Sequence, residues 1–132
     1  ELLDATDIGG HTPMHVAADA GHAGVITALT FTSPPTSPSL LESRFCARDR
    51  LGKTPLLHAT SQERAGCVSQ LLASEEGRRA LNMTDKLGMD ALQYACYLGY
   101  DSIATILLSY GASVLSRDQE GMTCLMHACA KG

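Results

Sequence analysis

Short apolar clusters recur along the chain, and their spacing predicts short helices that come in pairs. Val25, Ile26 and Leu29 fall at positions i, i+1 and i+4, which places them on one stripe of a helix. The leucine pairs at 71–72 and 107–108 repeat this stripe in later segments. A cluster of smaller apolar residues precedes each stripe. The pattern therefore predicts a first helix of small residues that packs closely against a second, more apolar one.

Four segments of the chain share one pattern of residues. Each begins with Asp-x-x-Gly, continues through a polar position and ends in a short run of small and apolar residues. The segments start at Asp7, Asp49, Asp85 and Asp118, with spacings of 42, 36 and 33 residues. Self-similarity at a nearly fixed period is the signature of a repeat protein, in which each unit buries its apolar face against its neighbours.

The residues around each segment start favour a tight turn followed by a helix. The fourth residue of each segment is Gly, which adopts the positive φ of a tight turn at little cost. A Thr or Asp then occupies the position of an N-cap, and Pro follows it twice at the first helical position. The predicted caps are Thr12, Thr54, Asp90 and Thr123.

The first helices should end at glycine, which favours the left-handed conformation of a helix C-terminus. Gly21, Gly99 and Gly132 stand at the expected places. In the second segment Glu63 occupies that place, so we expect Gly66 to serve this turn from a shifted position.

The stretch Thr12-Pro13-Met14-His15-x-Ala17, with a period near 33, resembles the ankyrin repeat. Residues 21–22 and 25–26 match the family's Gly-His-x-x-Val-Val element, and residues 106–108 and 111–112 fit its second helix and Gly-Ala exit. The resemblance covers essentially the whole chain. It implies an all-α repeat solenoid, in which helix-turn-helix units are joined by β-hairpin-like turns.

The repeat boundaries follow from the segment starts. We expect one ankyrin-repeat domain fragment over residues 1–132, with repeats at about 7–48, 49–84, 85–117 and, incomplete, 118–132. The last repeat stops where its second helix should begin. The expectation is therefore that the parent protein carries further repeats, or that a partner or a second copy covers the ends.

Two insertions interrupt the period. The first repeat carries about nine extra residues in the Ser/Thr/Pro-rich segment 30–39, whose composition predicts a surface loop. A shorter insertion at 74–79 should extend the second helix of the second repeat or the loop after it.

Three positions are candidates for modification. Ser33 and Ser37 each precede a proline, which makes them candidate phosphorylation sites, although a merely tolerated surface insertion is the alternative. Asn82 stands where the family places an asparagine that is hydroxylated in some members. Its alternative role is a side chain that stabilises the turn.

Composition narrows the classes of function. The 132 residues carry 10 Lys+Arg and 14 Asp+Glu, a net charge of −4, which disfavours direct binding of nucleic acid or of an anionic membrane surface. No apolar run approaches the ~18 residues needed to span a bilayer, so membrane insertion is not expected. Five cysteines without disulfide-framework spacing favour a reducing, intracellular location, cytoplasmic or nuclear.

The chain offers no recognisable catalytic or cofactor motif. Its glycines form no phosphate-binding loop, and Cys124-x4-Cys129 lacks a second half with metal-ligand spacing. We therefore predict no enzyme activity, catalytic residue, metal or cofactor. The resemblance implies that His15 bonds the turn backbone, and His58 and His127 are expected at the inner face or the core edge. Buried free thiols are expected at the motif positions Cys67, Cys96 and Cys129.

The resemblance also implies where a partner would bind. Ankyrin proteins usually dock partners on a concave face that is built from hairpin tips and from exposed positions late in the first helices. Carried over by motif position, that face has an apolar strip with a basic edge, which is more often a binding site than an accident. The alternative is that part of the strip packs against neighbouring repeats. The predicted partner-binding residues are Arg50, Leu51, Lys53, Lys86, Leu87, Met89, Tyr97, Leu98 and Met122.

The resulting functional prediction is a protein-protein interaction module within a scaffold or regulatory protein, for example in signalling or transcription regulation. Its partner would be a protein that offers an extended or helical segment with apolar anchors. Two alternatives stay open: a structural spacer or intramolecular docking segment of a larger ankyrin protein, and a substrate-presenting accessory region of a multidomain enzyme. The sequence does not predict the oligomeric state.

Overall fold

The computed structural model of the chain describes residues 6–31 and 44–131, and every regular element within those ranges is a helix. Residues 44–46 are also helical. The longer elements are α1 (Pro13–Ala20), α2 (Ala23–Phe31), α3 (Pro55–Ser61), α4 (Ala65–Leu72), α5 (Glu75–Arg78), α6 (Ala91–Leu98), α7 (Asp101–Ser109) and α8 (Cys124–Lys131).

The helices form two rows. The first row is α1, α3, α6 and α8, in which each helix packs on the next, and the second row is α2, α4 and α7. Across the rows, α1 packs on α2, α3 on α4, and α6 on α7. This arrangement confirms the predicted all-α repeat solenoid.

Small residues line the contacts of the first row, as the sequence pattern predicted. Because these residues have small side chains, the helix backbones approach closely and leave little empty volume between them. The buried alanines of this row are Ala17, Ala18, Ala59, Ala91 and Ala95.

The second row carries the larger apolar residues. Leu71 and Leu72 in α4 are both buried, and so is Leu107 in α7. Val25 in α2 and Leu108 in α7 are 47% exposed, which corrects the predicted stripe at those two positions. Since α4 packs between α2 and α7, adjacent positions on it are covered from two sides. Within the described residues, α2 and α7 have a neighbour of their own row on one side only.

The predicted N-caps are confirmed. In each case the side-chain oxygen accepts a hydrogen bond from the backbone N–H three residues later, at 2.9–3.4 Å. In α1 and α6 the bond is reciprocated, because the side chains of His15 and Gln93 accept from the backbone N–H of Thr12 and Asp90. These caps fix where the first-row helices begin relative to the hairpins that precede them.

The turns between paired helices correct one prediction. Gly21 and Gly99 take positive φ values of 84° and 77°, as expected. In the second repeat it is Glu63 itself, with φ 58°, that takes this conformation, and Gly66 lies inside α4. The residue after each of the three positions donates its N–H to the carbonyl five residues back, so the three turns are equivalent. Gly132 lies outside the described residues.

The insertion after α4 forms a separate short helix, α5, rather than an extension of α4. The Ser74 hydroxyl caps it by accepting from the Gly77 N–H at 3.2 Å. Arg78 then folds back, and its guanidinium donates to the carbonyl oxygens of Leu72 and Ala73 at the end of α4. The insertion thus satisfies carbonyl groups that the end of α4 would otherwise leave open.

Candidate partner-binding surface

A hairpin precedes each first-row helix, and its aspartate organises the turn. The Oδ1 atom of that aspartate accepts the backbone N–H groups two and four residues later, at 2.9–3.2 Å. A backbone bond from the aspartate N–H to the carbonyl four residues later closes the hairpin. The four aspartates are Asp7, Asp49, Asp85 and Asp118. The residues that close the hairpins are His11, Lys53, Met89 and Met122.

In the last three hairpins the second carboxylate oxygen contacts a side chain of the following helix, nine residues later. Oδ2 of Asp49 meets His58 Nε2 at 2.7 Å, and Oδ2 of Asp118 meets His127 Nε2 at 2.9 Å. Oδ2 of Asp85 accepts the hydroxyl of Tyr94. Burial raises the pKa of the Asp49 carboxyl, but the hydrogen bonds from His58 and from the hairpin N–H groups outweigh it and hold that pKa below its ordinary value.

Backbone hydrogen bonds join the tips of consecutive hairpins into a row. Arg50 N–H donates to the carbonyl of Gly9 at 2.9 Å, and Lys86 N–H donates to that of Leu51 at 3.1 Å. At the fourth tip, the N–H of Gln119 donates to the carbonyl of Leu87 at 3.2 Å. These links hold the tips in one register before any partner arrives.

Six of the predicted partner-binding residues are exposed at the tips or at the end of α6. Leu51 and Leu87 are 62% and 59% exposed, and Tyr97 and Leu98 at the end of α6 are 43% and 39% exposed. The other two of the six, Arg50 and Lys86, are exposed basic residues of the tips. We call this set the tip surface. It consists of Arg50, Leu51, Lys86, Leu87, Tyr97 and Leu98.

The other three predicted residues are less accessible. Met89 is buried, so its expected exposure is wrong, and Lys53 and Met122 are half-buried. Lys53 packs on the next repeat rather than projecting freely, since its Nζ lies 5.4 Å from the centroid of the Tyr94 ring in α6.

The predicted role of His15 is confirmed. Its Nε2 lies 2.8 Å from the carbonyl oxygen of Lys53, which ties α1 to the next hairpin. Gln93 takes the same position in α6 and donates from Nε2 to the carbonyls of Ser116 and Met122 at 3.0 and 3.1 Å. The two repeats therefore use different side chains for one linking role.

The modification candidates remain predictions. Asn82 is exposed, and its Oδ1 accepts from the Ser113 N–H at 3.4 Å. Ser33 and Ser37 lie outside the described residues.

Of the three cysteines expected to be buried, Cys67 is buried, Cys96 is half-buried and Cys129 is exposed, which corrects the expectation for the last one. Cys124 is also buried, and Cys46 is half-buried. Burial and the neighbouring Cys124 raise the pKa of the Cys96 thiol to about 11, so this thiol is a weak nucleophile at neutral pH.

One group of metal-ligating residues was missed by the sequence analysis. A ligand atom from each of His11, Asp49 and His58 lies within 4.8 Å of the others. The histidines stand at different positions of different repeats, four residues after Asp7 and nine after Asp49. No spacing within a single repeat could have indicated the group, and only the contact between consecutive hairpins brings it together.

The helices of residues 6–31 and 44–131 are too short or too polar to cross a bilayer.

Comparison with known proteins identifies the repeats. The family model described as "Ankyrin repeats (3 copies)" matches residues 34–118. The chain is 35% identical over 133 residues to the Homo sapiens protein "Transient receptor potential cation channel subfamily A member 1", which covers 100% of this chain and 11% of that protein. It is 31% identical over 119 residues to "Ankyrin repeat protein nuc-2" of Neurospora crassa, covering 90% of this chain and 10% of that protein.

The chain thus spans about a tenth of the length of these two curated relatives. With the capped helix pairs, the joined hairpins and the matched segment taken together, the chain belongs to the ankyrin-repeat family.

Proposed function

We propose that the chain is a non-catalytic protein-interaction module whose tip surface binds an extended or helical segment of a protein partner. Ankyrin repeats are generic protein-interaction modules. The observation that supports this surface in particular is the row of joined tips, which presents Leu51 and Leu87 to solvent from a fixed backbone. A surface that is already ordered loses little conformational entropy on binding.

The charges of the tip surface favour a partner that carries acidic side chains. Arg50 and Lys86 are exposed at the second and third tips. The aspartates of the same hairpins are buried and accept hydrogen bonds from their own turns, so they do not neutralise the tip surface from outside. Complementary charges steer the encounter and fix its register more than they add affinity.

The apolar residues supply most of the expected binding energy. Complete burial of one leucine side chain contributes about 1.5–3 kcal/mol. Tyr97 is a rigid aromatic anchor, because its ring packs edge-on against His127 with 5.5 Å between the centroids. The partner segment should therefore carry apolar side chains spaced to meet consecutive tips, with acidic residues between them.

The setting that we propose is an intracellular scaffold or regulatory protein, in the cytoplasm or the nucleus. A spacer or intramolecular docking segment of a larger ankyrin protein is the first alternative, since the chain spans only a small part of its relatives. A substrate-presenting region of a multidomain enzyme is the second.

The test is an affinity capture from cell lysate with three baits. The first is the unsubstituted chain, and the second carries Leu51→Glu and Leu87→Glu on the tip surface. The third carries Ser69→Glu and Ser102→Glu, which add the same charge at exposed positions of α4 and α7 in the second row. Circular dichroism establishes that all three are equally helical.

The proposal expects a protein that is captured by the first and third baits and lost by the second. Equal capture by the second bait would contradict the tip surface as the binding site. If the unsubstituted chain captures nothing specific, the spacer alternative is favoured.

A further inference from the structure

The two histidines and one aspartate between the first and second hairpins have the geometry of a small metal site. His58 Nε2 and His11 Nε2 lie 2.7 and 3.2 Å from the same atom, Asp49 Oδ2. All three ligand atoms lie within 4.8 Å of one another. Ligand atoms around a tetrahedral zinc ion are about 3.3 Å apart, since each lies about 2.0–2.2 Å from the metal. Shifts of less than about 1 Å would place the three atoms around one ion.

Each ligand is already oriented by a second contact. The Nδ1 atom of His11 lies 3.0 Å from Asp7 Oδ1, and that of His58 lies 3.3 Å from Asp19 Oδ1. A carboxylate on the far nitrogen of a histidine fixes the ring and favours a lone pair on the near nitrogen, which is the arrangement usual around metals. Asp49 is held in turn, because its Oδ1 accepts two backbone N–H groups at 2.9 Å.

A third histidine forms the wall of the site and is not a ligand. His15 lies with its ring centroid 5.4 Å from that of His58. Both of its ring nitrogens are occupied, one by the backbone N–H of Thr12 and the other by the carbonyl of Lys53. The ligand set is therefore two imidazole nitrogens and one carboxylate oxygen.

The site is open on one side. A cavity of about 150 Å³, lined by His11, His15, Val16, Asp19 and His58, adjoins the two histidine ligands, whereas Asp49 lies behind them with its side chain buried. A water molecule from this cavity would complete a four-coordinate ion. The cavity also provides the entry path that a metal ion needs.

The other hairpins show which part of this cluster is unusual. The contact between an aspartate and the residue nine positions later recurs in the third and fourth hairpins, so the Asp49–His58 contact alone needs no metal to explain it. The unusual member is His11, which adds a second histidine to the Asp49–His58 contact. The equivalent residues of the next two hairpins are Lys53 and Met89. His127 with Asp118 is thus a single-histidine version of the same contact within the same chain.

We propose that His11, Asp49 and His58 form a Zn²⁺ site that links the first and second hairpins. Two imidazoles and one carboxylate suit zinc, whereas calcium and magnesium prefer oxygen ligands throughout. The bound ion would connect consecutive hairpins and so add to the contact between α1 and α3.

The test uses the 132-residue chain, reduced and stripped of metal, titrated with Zn²⁺ in competition with a chromophoric chelator. We expect a single tight equivalent. His11→Ala should bind Zn²⁺ at least about tenfold more weakly, and Asp19→Asn, which removes the carboxylate that orients His58 and lies outside the hairpin turns, about tenfold more weakly. His127→Ala is the matched control and should bind like the unsubstituted chain.

Two further readouts separate ligand loss from misfolding and from binding to thiols. Zn²⁺ should raise the Tm of the unsubstituted chain and of His127→Ala, but not that of His11→Ala. The Co²⁺-substituted chain should lack thiolate-to-metal charge-transfer absorption. Equal affinities of His11→Ala and His127→Ala, thiolate absorption with the first equivalent, or no tight equivalent at all would each overturn the proposal.

Discussion

At the scale of single residues, the hairpin aspartate connects the sequence repeat to the three-dimensional stack. One carboxylate closes its own turn through Oδ1 and, in three of the hairpins, anchors a side chain of the following helix through Oδ2. Hydrogen bonds to an ionised group are stronger than neutral ones, so each aspartate contributes through its charge as well as its geometry. This dual role makes the stack sensitive to acid.

Asp118→Asn should destabilise the chain at neutral pH and much less in acid. Burial raises the pKa of the Asp118 carboxyl, but bonds from the Met122 N–H, the His127 ring and the Glu120 N–H outweigh it and lower that pKa below its ordinary value. A carboxyl whose folded pKa is depressed stabilises the protein fully above the unfolded value of about 3.9, and this stabilisation is lost as the pH falls through the folded pKa.

The measurement is urea unfolding of both chains at a series of pH values from neutral to acidic. The difference in the free energy of unfolding should be largest near neutrality and shrink below pH ~4. Glu120→Gln, an exposed change in the same hairpin, is the control and should leave stability nearly unchanged. A difference for Asp118→Asn that stayed constant with pH would contradict the account.

The sequence could predict the Asp-x-x-Gly turn and the caps because they depend on contacts between close neighbours. It could not predict the partners of Oδ2, because these are a tyrosine and two histidines, Tyr94, His58 and His127, and nothing in the local pattern pairs them with an aspartate nine residues earlier. The group of His11, Asp49 and His58 could not be predicted from the sequence for a related reason. His11 meets Asp49 across two hairpins, and that contact depends on how the repeats stack.

At the scale of elements, the turn from α3 to α4 has the most strained backbone of the three helix-to-helix turns in the described residues. Glu63 takes a φ of 58°, where the equivalent turns have glycine. The left-handed conformation costs a residue with a side chain about 1–2 kcal/mol. The surrounding bonds impose it nevertheless, because Arg64 N–H donates to Ala59 O at 2.8 Å as its counterparts do.

Glu63→Gly should therefore stabilise the chain by ~1 kcal/mol, less the added freedom of glycine in the unfolded state. The converse change, Gly99→Ala, should destabilise it by ~1 kcal/mol. An added Cβ at Gly99 meets nothing within 4 Å, so this second variant reports the backbone conformation alone.

Thermal and urea unfolding of both variants would check this pair of predictions. Gly66→Ala is the control, since this residue lies inside α4 and an added Cβ only touches Ala23 at 4.0 Å. Alanine there should be neutral or stabilising, because it favours helix over glycine. Destabilisation by Glu63→Gly, or stabilisation by Gly99→Ala, would show that the two turns do not carry the strain assigned to them.

Helix starts and most helix ends were predictable from local signals, whereas two features of the elements were not. The sequence indicated that Glu63 was unusual but moved the turn to Gly66, because a non-glycine residue in this conformation is uncommon. The insertion at 74–79 was expected to extend α4 or the loop after it, and it forms the separate helix α5 instead. Its cap and the fold-back of Arg78 depend on carbonyls at the end of α4, which the local pattern does not reveal.

At the scale of the whole molecule, stacking decides which apolar residues reach solvent. Leu71 and Leu72 are buried because α4 has neighbours on both sides, whereas Leu108 in α7 is exposed. Met89, which closes the third hairpin, is buried as well. Leu51 and Leu87 stay exposed because the tips project from the stack.

The repeat period and the apolar stripes were enough to predict the solenoid and its rows. Exposure at single positions was harder, because it depends on whether a neighbouring repeat covers a given face. Of the predicted partner-binding residues, those at the tips and at the end of α6 are exposed, whereas Met89 is buried. Which of the remaining residues bind a partner is still a prediction.

Site-specific photo-crosslinking in cells would show most directly whether a protein partner binds the tip surface. A photoreactive amino acid replaces Leu87 in one chain and Ser102, an exposed position of α7, in another. The account predicts a discrete crosslinked protein adduct from position 87 and none from position 102. An adduct from position 102 without one from position 87 would contradict the tip surface as the place where a partner binds.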